Sequence, residues 1–551
     1  MKNKILIILV LICCNNTFAQ MPSWAWAKSV GGSDYQAGKK TATDSDGNIY
    51  LTGGYQNSSI NYSGTNLSNS GSEDIFLAKY NSAGDVLWVK RAGGSSSDIS
   101  YGIACDAEGY VYLAGTFSSS SIIFGNKTLS NTGSSGSGDI FIVKYNSDGD
   151  VKWAKKAGGT MSDLCYDLAL DNYGNLLLTG YFRSNSITFG VTTLTNTTTT
   201  GYSEEIFVAK YDTSGNVKWA KKASGANNDS GKSIASDQNG NVYVTGTSKS
   251  STLTFGLTTL TNSQLEDIFL AKYDSSGNEL WAKRAGGTNS DEGFGVICDI
   301  NNNAIITGYF KSTSVAFETQ TITNSNAADE TGDVFIVKYN PSGDVLWAVK
   351  GSGSSTEQGN TVVCDIQGNI YAAGEFGSST LTFAGTSGIS KPGISNIFLT
   401  KLNSSGVALW AASIGGTTFD YASNINIDLS GNIFLTGGFD SPSVSFGTTT
   451  LTNTGYRDIY LAKLNSSVGI SENDNDSDFE LFPSPSGGSI SINIPEKIKL
   501  LQLLNSSGNI IYEKANPAAG IITVNIGTSG YYFAKVISEK TILTRKFCII
   551  Q

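Results

Sequence analysis

An all-β chain built from repeated four-stranded units is what this sequence predicts, and three observations carry the prediction. The first is composition: of 551 residues only 15% are charged and 39% apolar, with 63 glycines and 8 prolines, a turn-rich mixture. The second is a tryptophan that returns at Trp26, Trp88, Trp153, Trp219, Trp281, Trp347 and Trp410, at intervals of 62, 65, 66, 62, 66 and 63 residues. Such a period is one supersecondary unit. The third is the alternation of apolar and polar residues in segments such as "DIFLAKY" and "NVYVTG", which has the period of a strand.

The chain opens with Lys2 and Lys4 before an apolar run from Ile5 to Cys13, and Thr17-Phe18-Ala19 supplies the small residues of a cleavage site. Residues 1–19 therefore read as a secretory signal peptide. The apolar run has nine residues, whereas spanning hydrocarbon takes about 20, so no transmembrane segment is expected. Cys13 and Cys14 end the run as a lipoprotein signal would, but neither follows the small residue such a site needs. Cys105, Cys165, Cys298, Cys364 and Cys548 remain beyond it, an odd number without close pairs, which is a poor disulfide framework. Three of them stand just before an aspartate of the repeat and read as core fillers.

Each repeat has three landmarks in fixed register. Eighteen residues after each tryptophan stands Asp44, Asp106, Asp171, Asp237, Asp299, Asp365 or Asp428. Most of these begin a D-x-x-G-N turn in which glycine permits positive φ. The "DIFLAKY" landmark begins at Asp74, Asp139, Glu205, Asp267, Asp333, Asn396 and Asp458, and the next tryptophan follows after fourteen residues. Four strands per repeat result: A before the aspartate, B after it, C on "DIFLAKY" and D on the tryptophan. All length variation falls between B and C, where 18 to 22 residues intervene.

Seven such units predict a seven-bladed β-propeller. The last repeat stops at Asp458 to Leu464 without a strand D, while the chain begins with an orphan strand D at Ser23 to Gly32. The N-terminal strand is thus expected to close the ring, which hides edges that an open array would expose. The segments "GIACDAEGYVYLAGTF" and "GNTVVCDIQGNIYAAGEF" resemble the β-propeller repeat family of bacterial surface proteins, and more distantly NHL-type propellers, over residues 21–464. That resemblance implies fold and is silent on function.

After Leu464 the polar, acidic stretch 465–478 reads as a linker. Residues 479–551 then form short alternating segments expected to make a small β-sandwich. Pro483-Ser484-Pro485 with Gly487, the strand from Gly508 to Tyr512, Gly530-Tyr531-Tyr532, and a basic last strand with Arg545 and Lys546 resemble the type A sorting domain of the type IX secretion system. Ser484 departs from the family's usual asparagine. The resemblance implies the secretion machinery as partner and a secreted or outer-surface location on a Gram-negative bacterium.

Composition also excludes chemistry. The chain has no histidine and a net charge of -10, so histidine-based triads and zinc sites are absent and phosphate backbones are repelled. Nucleic acid is not an expected partner. Ten residues after six tryptophans stand Asp98, Asp163, Asp229, Asp291, Glu357 and Asp420, with Gln36 in the first repeat. They are read as a candidate ring at a channel mouth, with calcium through oxygen ligands as the sharper alternative and acceptance of loop N–H groups as the simpler one. "DSDGN" at Asp44 reads as a turn, since Tyr55 stands where a calcium loop needs glutamate. No catalytic residue, cofactor or metal ligand is assigned. The expected function is a non-enzymatic binding or adhesion module for a surface glycan or protein. Its contacts are expected on the B-to-C segments Ser118 to Gly138, Arg183 to Glu204 and Lys311 to Gly332. The alternatives are a propeller-based polysaccharide lyase or glycosidase, or a purely structural surface-layer component.

Overall fold

The computed structural model describes residues 21–133, 136–198, 203–263, 265–466, 480–482, 489–494, 498–505, 510–527, 530–537 and 542–549. The expected signal peptide and nearly all of the expected linker lie outside these residues. The described residues form strands and turns, with one 3-10 turn at Ala327–Asp329. No helix among them is long and apolar enough to cross a membrane. The chain divides into two compact units, the first ending at Ser466.

The first unit contains seven antiparallel sheets with strand order A-B-C-D. In the first repeat these strands are Gln36–Thr43, Ile49–Tyr55, Asp74–Tyr80 and Val86–Ala92. The A-B turn forms as its sequence dictates. Asp44 Oδ1 accepts the backbone N–H groups of Asp46 at 3.1 Å and Asn48 at 2.8 Å, and Gly47 takes φ +76°. Strands B and C are buried along nearly their whole length, as in Ile49–Tyr55 and Asp74–Tyr80. Each sheet packs between two others, so both faces of its middle strands lose water.

The apolar clusters accordingly belong to pairs of sheets. One joins Ile49, Leu51 and Phe76 of the first repeat to Phe434, Ile459 and Leu461 of the last. In the last repeat, Asp420–Ile427, Ile433–Phe439 and Asp458–Leu464 take their fourth strand from Trp24–Val30, in the register Trp26↔Lys463 through Val30↔Ile459. Six tryptophans donate their indole N–H to a C-D turn carbonyl of the following repeat, as Trp88 does to Ser147 at 3.0 Å and Trp26 to Ser82 at 3.1 Å. The landmark lysine of strand C reaches the same carbonyl, as Lys79 does at 3.3 Å.

The B-to-C segments are not simple loops. Each holds a hairpin, such as Ser121–Phe124 with Lys127–Ser130 and Thr252–Phe255 with Thr258–Thr261. Ile122, Phe124, Leu253 and Phe255 are buried. The hairpin lies on strand D of the preceding repeat, where Ala223 pairs with Phe255 and Gly351 with Phe383. It covers an edge that would otherwise be free. The length variation falls between the hairpin and strand C, from residues 69–73 in the first repeat to 196–204 in the third, except in the sixth repeat, whose hairpin turn is one residue longer.

The second unit has a sheet of Glu480–Phe482, Ser489–Ile494 and Gly520–Asn525, and another of Ile510–Ala515, Leu500–Asn505, Gly530–Ile537 and Ile542–Ile549. Ile490, Ile492, Leu501, Leu503, Val524 and Val536 fill one core between them. Of the sorting-motif residues, Pro483, Pro485, Gly487 and Gly508 lie outside the described residues. The backbones of Gly530 and Tyr531 pair with Ile549 and Cys548, and those of Arg545 and Lys546 with Ala534 and Phe533.

Candidate functional site

The seven A strands pack side by side around a cavity of about 850 Å³. Its lining differs from the ring expected at the mouth. None of Asp98, Asp163, Asp229, Asp291, Glu357 and Asp420 lines the cavity. All six are fully buried, because each carboxylate is turned into its own loop. Asp98 accepts Gly94 N–H at 2.7 Å, Ser119 N–H at 3.2 Å and Ser119 Oγ at 2.7 Å. Asp420 does the same with Gly416 and Ser441. Their oxygens serve as loop acceptors, the simpler of the two readings. Burial raises their proton affinity against these donors, bringing Asp163 to about 7, Asp291 to about 6 and Glu357 to about 8. Among the described residues no group of three or more Cys, Asp or Glu side chains is placed to hold a metal ion.

What lines the cavity is decided three residues further on. Every A strand carries a β-bulge against its B strand, at Lys39, Tyr101, Tyr166, Lys232, Phe294, Asn360 and Ser423 in turn. A bulge leaves its extra residue out of the ladder and re-aims the side chain. All seven are half-buried and line the cavity. The residue before each bulge is small because the preceding repeat approaches there. A Cβ on Gly231 would lie 2.1 Å from Thr179 Oγ1, and one on Gly359 2.3 Å from Thr307 Oγ1.

Below the bulges a polar layer crosses the cavity. The Lys40 ammonium pairs with Asp167, two repeats away. Asp167 also accepts Ser233 Oγ at 2.8 Å and Ile234 N–H at 3.1 Å. Asn424 of the last repeat accepts Thr41 N–H of the first at 3.1 Å. On the B strands, Glu375 lines the cavity while Tyr181 and Tyr309 pack on the bulge residues Tyr166 and Phe294; the counterparts of all three are glycine or threonine elsewhere. Tyr309 donates to Glu292 at 2.6 Å, and Arg183 holds Glu204 at 2.5 Å. Burial depresses the Lys232 ammonium against the opposing charges of Glu292 and Glu204, and raises Glu375 against Arg457.

Sequence reasoning missed the bulge residues, yet a signal for them exists. Between the loop-acid position and the invariant turn aspartate, this register holds Lys, Tyr, Tyr, Lys, Phe, Asn and Ser, and the register after it varies as widely, from Lys40 through Asp167 to Asn424. A position relieved of packing by a bulge can vary in this way, and a binding surface needs it to.

A family model described as "Beta-propeller repeat" matches residues 218–252, and one described as "Secretion system C-terminal sorting domain" matches residues 480–551. The chain thus carries propeller repeats and a type IX sorting tail, which directs it to secretion or the cell surface. An uncharacterized WD repeat-containing protein of Acanthamoeba polyphaga mimivirus is 25% identical over 504 residues, covering 76% of this chain and 36% of that protein. Regulatory protein FlaEY of Caulobacter vibrioides is 26% identical over 150 residues, covering 27% and 16%. The chain therefore spans well under half the length of these relatives. The solved structure of YCF48 bound to D1 peptide aligns over 82% of this chain and 100% of that one, with 7% identity and a TM-score of 0.34.

Proposed function

We propose that this chain, a secreted or cell-surface β-propeller protein by its repeats and sorting tail, is a non-enzymatic binding module of a Gram-negative bacterium. In this reading its seven sheets are the blades of one closed ring, and its ligand enters the central cavity. The observation that carries the reading is the bulge register: seven side chains of differing chemistry re-aimed into one cavity by a scaffold whose turns, tryptophans and loop acids repeat. A rigid frame with a variable lining is how a binding site is built. Ring closure is supported by the pairing of Trp24–Val30 with Asp458–Leu464. A backbone bond between neighbouring repeats, Asp98 N–H to Glu73 O at 2.8 Å, also recurs between first and last as Gln36 N–H to Arg457 O at 3.3 Å.

This reading moves the ligand from the B-to-C insertions to the cavity, because the hairpins are occupied in covering strand D. A glycan array probed with the full chain tests it. Signals are expected to fall when Tyr101→Ala and Phe294→Ala remove cavity rings, and to survive Leu257→Asn at an exposed hairpin tip. An array with no binding, or hits indifferent to both ring truncations, counts against the cavity.

The propeller-based glycosidase reading rests on one observation, the hydroxyl of Tyr309 donating to Glu292 at 2.6 Å, since a carboxylate beside a phenol can act as its base. Burial, Glu292 and nearby acids raise the phenol's proton affinity, which opposes that role. Release of reducing ends from any glycan that binds would favour this second reading; its absence would favour simple binding.

A further inference from the structure

We propose that the cavity takes a carboxylated sugar, seated on the Tyr101 and Tyr166 rings with its acid groups held by Lys39 and Lys232. This rests on the cavity being the binding site. The four residues occupy the bulge positions of four consecutive repeats, so they form one arc of the lining in the order Lys, Tyr, Tyr, Lys. The two rings stand 5.8 Å apart between centroids at 65°. Lys232 Nζ lies 4.0 Å from the centroid of Tyr166, and Lys39 Nζ 5.9 Å from that of Tyr101. The result is an edge-to-face ring pair with an ammonium over each ring.

Among the described residues, the charges around the mouth leave few cations unpaired: Lys39, Lys232 and, beside Tyr309, Lys311, of which the first two flank the ring pair. Lys40, Arg183, Lys249 and Arg457 each have a carboxylate at ion-pair distance, from Asp167, Glu204, Glu266 and Asp440. Among the described residues Lys39 and Lys232 have none. The acids that face them are engaged elsewhere: Glu204 with Arg183, Glu292 with Tyr309 and Thr247, and Glu73 with Ser97 at 3.5 Å. Lys232 is therefore a half-buried cation whose close partner is the Tyr166 ring and which has no carboxylate at ion-pair distance, and a carboxylate brought by a ligand supplies that missing partner.

The opposite arc suits the rest of a sugar. Phe294 offers a second ring face, and Asn360, Ser423 and Gln358 offer neutral donors and acceptors, with Gln358 Nε2 2.7 Å from Asn360 Oδ1. An extended peptide is the less suitable occupant. It would add to the free edge of an A strand, and the bulge in each A strand interrupts that edge at its middle.

Calorimetry on the full chain tests the proposal with three uronate oligosaccharides (oligogalacturonate, oligoalginate and hyaluronan fragments), neutral cellotriose and triglutamate. At least one uronate is expected to bind, more weakly as salt rises. Lys232→Met and Lys39→Met, on different strands, are each expected to weaken it by about tenfold or more. Unchanged melting curves will show that both variants fold. No uronate binding, equal binding of cellotriose, or indifference to both lysine changes overturns the carboxylate. Triglutamate binding as tightly as the best uronate overturns the sugar. A neutral glycan that depends on Tyr166 but not on the lysines would sink this inference while leaving the cavity as the binding site.

Discussion

Glu357 stands where five repeats have aspartate, and its extra methylene spoils the loop geometry. Only Oε1 is bonded, to Ser378 N–H at 3.2 Å and to the Ser378 hydroxyl, while Oε2 is buried without a partner among the described residues. Burial, reinforced by the charge of Asp333, therefore pushes its carboxyl from the ordinary 4.5 up to about 8. The folded state then binds more protons than the unfolded state between those values, so stability falls as pH rises through them. Asp163 and Asp291, raised from 3.8 to about 7 and about 6, act in the same direction. The thermal midpoint is expected to be higher near pH 5 than near pH 8. Glu357→Asp is expected to stabilise the chain at pH 8 by about 1 kcal/mol and to narrow that difference, as melts of both proteins across pH will read. A variant less stable than the parent at pH 8 would show that the longer side chain is needed there.

The B-to-C hairpin shows how an element takes a structural task that its variability hid. Phe255 is fully buried, lies 5.1 Å from the ring of Phe269 and pairs through its backbone with Ala223 on the neighbouring sheet. Phe255→Ala is expected to cost about 3–5 kcal/mol in denaturant unfolding. Leu257→Asn at the hairpin tip, where Leu257 is 99% exposed, is expected to change stability by less than about 0.5 kcal/mol. Equal effects from the two would mean that the hairpin is not anchored on strand D. Some of the hairpin was legible, since Phe and Thr recur in "TLTFGLTTLTN" and "SVSFGTTTLTN". Its partner was not, because the strand it covers belongs to another repeat. The acid register was legible in the same partial way. Spacing located all six carboxylates, but their direction depends on serines about 21 residues away, such as Ser119 for Asp98.

At the scale of the molecule, the first unit depends on its two ends meeting. Trp24–Val30 completes the last sheet, and Trp26 reaches the C-D turn of the first. Trp410 shows the other side of this arrangement: its following C-D turn is where the chain ends meet, and no carbonyl accepts its indole N–H among the described residues. Removing Ser23 to Gly32 exposes the edges of Asp458–Leu464 and the cluster around Ala27. Loss of a cooperative unfolding transition is expected, and a shortened chain that melts like the parent would refute the closed ring. The sorting tail is a separate compact unit. Truncation at Ser471 is therefore expected to leave a folded first unit that stays in the periplasm of a host with the secretion system, as fractionation will show. Unchanged surface exposure would refute the tail's role.

The sequence by itself determined the repeat, its four strands, the turn aspartates, the orphan strand and the sorting tail. These rest on spacing along the chain and on local turn chemistry, which a one-dimensional pattern records in full. The tertiary structure alone decided which residues face the cavity, because a bulge shifts the side-chain period by one and no alternation pattern predicts where that shift occurs. It also decided that the repeated acids turn into their loops and that strands B and C are dry on both faces. The burial of strands B and C is set by neighbouring repeats some 60 residues away, and the direction of the acids by serines about 21 residues away in the same repeat, through contacts that the spacing of residues along the chain does not contain.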